Sequence, residues 1–257
     1  MANVPVQVND LLNDQDHFLP AVSIDNVIFG FYQNELKVLL LQSRSNLKWM
    51  LPGGFIGKDE DLDEAATRIL SARTGLTDVF LQQFHVFGSA KRNQKHHLKE
   101  VLQSIRVELT AESWLMQRFI TLGYYALVNY DNVMPKPDES SITCAWQDVN
   151  QLPDMLFDHG SIIAKALQAL RWQLNYQPIG YNLLPKEFTL KNLQTLYETI
   201  LGRKLDRSNF NRKILSYSIL EKKEKHYSGA SHKAPFLYSF KEEAYFNALQ
   251  HGLEKGF

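Results

Sequence analysis

Two groups of residues in this 257-residue chain have types and spacings that could do chemistry. The first is Arg207, Ser208, Asn209, Asn211, Arg212 and Lys213, set around the apolar Phe210 and Ile214. Asn and Arg match adenine and guanine edges with paired hydrogen bonds, while Lys and Ser suit phosphate oxygens. Arg203 and Lys204 upstream, and Lys222, Lys223, Lys225, His232 and Lys233 downstream, add charge suited to a nucleic-acid backbone. The second group surrounds Gly53 and Gly54, whose missing side chains let backbone N–H groups approach an anionic ligand. Arg44 and Lys58 could meet its phosphates, and Phe55 or Phe87 could stack on a base or cover a sugar. For each member of this second group, bracing the fold is an equal reading.

The first group needs a helix to present it. Leu190, Leu193, Leu196, Tyr197, Ile200 and Leu201 recur at helical spacing, and Gly202 sits where that helix should stop. A second helix should start near Asp206 or Ser208, both good N-cap residues. Successive helical positions rotate by about 100°, so the six polar residues cannot all face one groove. Residues 219–240 read as a basic hairpin, and EEAYFNALQHGL as a last short helix. Helix, helix, basic hairpin is the order of a winged helix-turn-helix, with the second helix suited to a DNA major groove.

The second group needs strands and a helix. Residues 22–31 and 36–42 read as a β-hairpin with its turn at YQNE, and LPGGF at 51–55 breaks that pattern. A helix follows, with Leu62, Ala65, Ala66, Ile69 and Leu70 on one face and Gly75 closing it. Residues 79–88, 119–129 and 142–149 read as strands, and 161–174 as a helix beginning near Asp158 or Ser161. Asp158 and His159 are read as caps of that helix rather than as chemical groups. Residues 91–118 are read as an insertion; its neighbouring His96 and His97 have no ligand-spaced Cys or carboxylate, so no metal site is expected. QPIGYNLLP, with two prolines and a glycine, reads as a linker.

Composition narrows the class. The formal net charge is zero, from 28 basic and 28 acidic residues. Residues 182–257 hold 13 basic against 8 acidic residues, and the rest hold 15 against 20. An acidic first part joined to a basic second part is what nucleic-acid binding through the second part needs. No apolar run reaches eighteen residues, so no membrane span is expected. The polar N-terminus lacks a signal-peptide pattern and Cys144 is the single cysteine, so a reducing cytoplasm is expected. Cys144 itself reads as a small buried strand residue.

Gly54, Glu60, Arg68, Gly75 and Leu76 match the spacing of the Nudix box, G-x5-E-x7-R-E-U-x-E-E-x-G-U, and LPGGF resembles its usual lead-in. The box departs from that pattern at the three positions where glutamates hold metal, which carry Ile69, Ala72 and Arg73. Together with IFGFYQNELKVLLLQSR, LPDMLFDH, QPIGYNLLPKEFTL and LDRSNFNRKI, these segments make the chain resemble the Nudix-related transcriptional regulators, the NrtR family, over nearly its whole length. The resemblance implies an α+β protein: an N-terminal Nudix-like α/β/α sandwich with a mixed sheet over residues 1–176, with an insertion at about 93–117. A linker at 177–185 and a C-terminal winged helix at 186–257 follow. In that family Glu60 and Arg68 correspond to a pair that braces the glycine loop on its helix. The family also implies a sensor for ADP-ribose or a related phosphorylated compound, repression of NAD metabolism genes, and a homodimer on a palindromic operator.

The expectation is therefore a ligand-responsive regulator without hydrolytic activity, metal or cofactor. Two alternatives stay open within the family: a sugar-responsive regulator, and an active hydrolase with a rebuilt metal site. A partner-binding adaptor is a third, and it predicts no salt-dependent DNA affinity.

Overall fold

The computed structural model describes residues 17–44, 46–90, 92, 114–138, 140–225 and 234–253. The first apolar run becomes a long strand, β1 (Phe18–Tyr32), which turns into β2 (Glu35–Ser43). The turn is two residues long, with Gln33 at φ 49° and Asn34 at φ 64°. Left-handed backbone at both centres matches the natural twist of paired strands. β3 (Trp49–Met50) and β4 (Gly53–Gly57) follow, then helix α1 (Leu62–Thr74), β5 (Gln82–Phe87), β6 (Ile120–Val128), β7 (Ser141–Asp148) and helix α2 (His159–Gln173). Among the described residues these strands form one seven-stranded sheet, with a path β3-β2-β1-β6-β5, β4 on β1 and β7 on β2.

The segment LPGGF differs from its reading as a break. Its glycines lie in β4, antiparallel to β1, with Gly53 opposite Asp25 and Gly54 opposite Ile24. The length of β1 supplies a partner that local sequence does not reveal. Helix α1 lays Ala65, Ala66 and Ile69 against Ile24, Ile56, Leu122 and Tyr124, forming the core beneath this strand pair. It ends at Gly75, whose φ of 72° lets its N–H reach Ser71 O at 2.8 Å.

The chain divides into two compact units. One runs to Phe29 and includes Lys37–Leu127 and Asp131–Ala166; the other comprises Gly30–Leu36, Val128–Tyr130 and the chain from Leu167 onward. In the second, β8 (Phe188–Thr189) precedes α3 (Leu190–Leu201) and α4 (Arg207–Ser216). β9 (Leu220–Lys225), β10 (Phe236–Phe240) and α5 (Glu242–His251) complete it, with the three strands in the order β8-β10-β9. The segment read as a linker is packed: Ile179, Leu183 and Leu184 are buried, and Ile179 N–H donates to the buried Tyr197 hydroxyl at 3.3 Å. Its apolar residues join a core of Phe188, Leu193, Leu196, Tyr197, Phe210 and Ile214.

Candidate functional sites on the glycine strand and the recognition helix

Gly53 and Gly54 are glycines because their neighbours leave no room. A Cβ at Gly53 would stand 2.2 Å from Asp25 Oδ1, and one at Gly54 would stand 3.0 Å from an Ile69 methylene. Glu60 holds the far end of the strand. Its carboxylate accepts the Gly57 N–H at 3.0 Å and two Arg68 N–H groups at 2.6 and 2.7 Å. Arg68 also donates to Phe55 O at 2.8 Å. Glu60 is partly buried, which alone would raise its pKa, but the Arg68 and Gly57 bonds outweigh this and hold it below the ordinary carboxylate range.

The other effector candidates are more dispersed. Phe55 is half-buried and packs its ring against Trp114, Phe119 and Phe18 at centroid distances of 4.9, 5.4 and 6.0 Å. Lys58 is exposed beside the strand. Phe87 sits across Gly123, where a Cβ would come within 2.9 Å of its ring. Arg44 donates to Ser141 O at 3.0 Å, a contact that ties two strand ends together. Of the insertion, residues 93–113 lie outside the described residues, His96 and His97 among them. Trp114–Met116 is a buried 3-10 turn.

Sequence reasoning missed a buried ionic cluster beside the glycine strand. Arg92, 5% exposed, grips Asp158 with Nε at 2.6 Å and Nη2 at 2.8 Å. Its Nη1 donates to the Thr121 hydroxyl, and its Nη2 stands 3.8 Å from Asp25. His159 Nδ1 accepts the Leu51 N–H at 2.9 Å, so the neutral ring carries its proton on Nε2, 3.6 Å from Asp25 Oδ1. Burial pushes the Asp25 pKa up, against the pull of His159 and Arg92. Burial pushes that of His159 down, against the pull of Asp25 and Asp158. Asp158 is held low by Arg92 despite its burial. Asp158 does precede α2, and its backbone carbonyl takes the Ile162 N–H at 3.1 Å, but its carboxylate belongs to Arg92. Only the fold brings residues 25, 92, 121 and 158 together, so no local spacing could have marked them.

The three altered box positions each have a definite environment. Ile69 is buried against Gly54 and Ala72 is exposed. Arg73 turns to Asp138, with which it forms an ion pair, and to Ser140 Oγ at 2.8 Å.

In the second unit the turn between α3 and α4 is built around Glu198. It accepts the Leu205 N–H at 2.9 Å and the Lys204 ammonium at 3.0 Å, and the first of these bonds leads in holding its pKa low. Thr189 and Asn192 form a capping box at the start of α3, and Gly202 closes it at φ 69°. The N-cap of α4 is Asp206, which accepts the Asn209 N–H at 2.8 Å. Phe210 and Ile214 are buried, with Phe210 edge-on to Tyr197 at 5.4 Å. Arg207, Ser208, Asn209 and Arg212 are exposed, and Lys213 is half-buried. Arg212 Nη2 donates to Asn209 Oδ1 at 2.9 Å. Asn211 is half-buried, with its Oδ1 buried and unpartnered among the described residues. Arg203 is exposed in the turn. In the wing, Lys222 Nζ lies 3.6 Å from the Phe236 ring centroid and Lys223 pairs with Glu221 at 2.6 Å. His232 and Lys233 lie outside the described residues.

A glycine strand braced on a helix, followed by a helix pair with a basic wing, defines a Nudix-type domain joined to a DNA-binding winged helix. The NUDIX domain family matches residues 24–170, and the NrtR DNA-binding winged helix domain matches residues 180–240. The chain is 30% identical over 214 residues to an ADPR responsive transcriptional repressor NtrR of Acinetobacter baylyi, covering 80% of this chain and 76% of that one. It is 25% identical over 174 residues to an ADP-ribose pyrophosphatase of Methanocaldococcus jannaschii, covering 65% of this chain and 83% of that protein. Among solved structures it is similar to Shewanella oneidensis NrtR complexed with a 27mer DNA, at a TM-score of 0.66 and 25% identity over 92% of this chain and 99% of that one. The chain belongs to the NrtR family of Nudix-related transcriptional regulators, and its fold class is α+β.

Proposed function

We propose that this chain is a DNA-binding repressor of NAD metabolism genes, working in the cytoplasm as a homodimer on a palindromic operator. ADP-ribose or a related phosphorylated compound would bind along β4 and alter its DNA affinity. The observation that carries this reading is the pairing of two conditions in one chain. The outward face of α4 carries exposed polar and basic groups, Arg207, Ser208, Asn209 and Arg212, over a buried Phe210 and Ile214. The box keeps its brace, Glu60 with Arg68, and lacks its metal carboxylates. Mg²⁺ needs hard oxygen ligands, and Ile69, Ala72 and Arg73 offer none. The residues present do not fit the metal, and the domain binds its ligand without cleaving it. The names of the Acinetobacter and Methanocaldococcus relatives, one ADPR responsive and one an ADP-ribose pyrophosphatase, support the effector class.

The test is fluorescence anisotropy of the full chain on promoter duplexes, with and without ADP-ribose, alongside a turnover assay with Mg²⁺ and Mn²⁺. Specific binding altered by ADP-ribose, without turnover, is expected. Specific binding indifferent to ADP-ribose would overturn the effector and point to a sugar. Turnover abolished by Glu60→Gln would overturn the non-enzymatic reading.

A further inference from the structure

We propose that Leu215 reads the 5-methyl group of a thymine in the major groove, next to the base met by Arg212. This rests on the DNA-binding reading of α4. Leu215 is 43% exposed, whereas the other apolar side chains of α4, Phe210 and Ile214, are 2% and 0% exposed. Helical rotation puts Leu215 within about 20° of Ser208 and about 60° of Arg212, on the outward face and away from the core stripe. It stands roughly 10 Å further along the axis than Ser208, a span that α4 can lay along one groove. Arg212 is steadied on the same face by Asn209, at 2.9 Å.

The chemistry of the groove selects the partner. Thymine's methyl is the apolar feature that base pairs present in the major groove; the rest are hydrogen-bond donors and acceptors. Ser208, Asn209 and Arg212 can satisfy those polar groups. Leu215 can satisfy none of them, and it gains only where it meets a methyl. The positive charge of Arg207 and Arg212 on this helix, and of Arg203 in the turn before it, favours DNA over an apolar protein surface as the occupant of this face. The outward face of α4 therefore presents a polar contact followed by an apolar one, suited to a thymine near the base that Arg212 contacts.

The experiment starts with full-length protein and selection of specific duplexes from a random pool. Each thymine of the selected half-site is then replaced, in both halves, by deoxyuridine, which removes the methyl and nothing else. Wild-type protein should lose about three- to fivefold in affinity per lost methyl at one thymine position. Leu215→Ala should bind the unmodified duplex more weakly by a similar factor and show no further loss with uracil at that position. Circular dichroism checks that the variant stays folded, which an exposed helical site should allow. Thymine and uracil duplexes bound equally at every position, or an undiminished uracil penalty in Leu215→Ala, would overturn the assignment and leave the DNA-binding reading intact. A selection that returns no specific duplex would overturn the DNA-binding reading itself, and this assignment with it.

Discussion

Ile69 and Arg73 occupy positions where the Nudix box carries glutamates, and each has been given another task. Ile69 fills the space beneath Gly54, and Arg73 closes on Asp138. Glu60 and Arg68 keep their bond because the strand still has to be held at a fixed height above the helix. Close by, His159 makes a testable contribution. Its buried ring has a pKa below the ordinary 6.5, so the unfolded chain takes up a proton at a pH where the folded chain does not. The stability from neutral His159 is complete above pH 6.5 and is lost as the pH falls through the lowered folded value. Asp25, raised by burial, works in the opposite sense: its contribution is present below 3.8 and fades as the pH rises through its folded value. Comparing His159→Gln with wild type separates the two, because glutamine keeps an acceptor for Leu51 N–H and does not titrate. Urea midpoints should fall less for the variant than for wild type between about pH 7.5 and 5.5. Parallel profiles would show that His159 takes up its proton alike in the folded and unfolded chains.

At the scale of elements, the recognition helix is defined by its start. It has only ten residues, with Asp206 as N-cap and no basic residue in its last turn except Lys213. A helix this short relies on its cap and on the Phe210–Ile214 stripe, because isolated helices of its length are marginal in water. Asp206→Ala should destabilise the second unit by about 1 kcal/mol, read from urea unfolding. DNA affinity should fall with it, since the cap sets the register of Ser208 and Arg212. The capping and turn signals around Gly202 and Asp206 were legible because they are local. The wing's packing was less so: Lys222 rests on Phe236 across the hairpin, a pairing set by strand register rather than by spacing.

For the whole molecule, the charge asymmetry becomes a binding property. Neutralising phosphates releases counterions, so affinity should fall steeply and linearly on logarithmic axes as salt rises. Arg212→Ala should weaken operator binding by about 1–3 kcal/mol and relax the preference at one base position. A lysine-to-alanine change in the wing should instead reduce the salt slope and weaken all sequences alike. Anisotropy titrations at several salt concentrations check both, and an unchanged Arg212→Ala affinity removes that residue from the interface. Coupling between effector and DNA must be reciprocal: whatever factor ADP-ribose changes DNA affinity by, DNA must change ADP-ribose affinity by the same factor.

The sequence by itself determined what rests on neighbours in the chain. The helix periodicities, the glycines that end α1 and α3, a cap at Asp206 or Ser208, the Glu60–Arg68 spacing and the substituted box positions each rest on residues within a few turns of chain. The fold class and the family could be read from those. Tertiary structure decided what depends on distant segments meeting. It made LPGGF a strand by supplying the far reach of β1, and it packed QPIGYNLLP onto the winged-helix core. It also gathered Asp25, Arg92, Thr121 and Asp158 into one buried cluster, and turned the apolar Leu215 outward while its neighbour Ile214 went in. Burial and charge pairing act through space, and a linear sequence records them only where the chain happens to return to itself within a few residues.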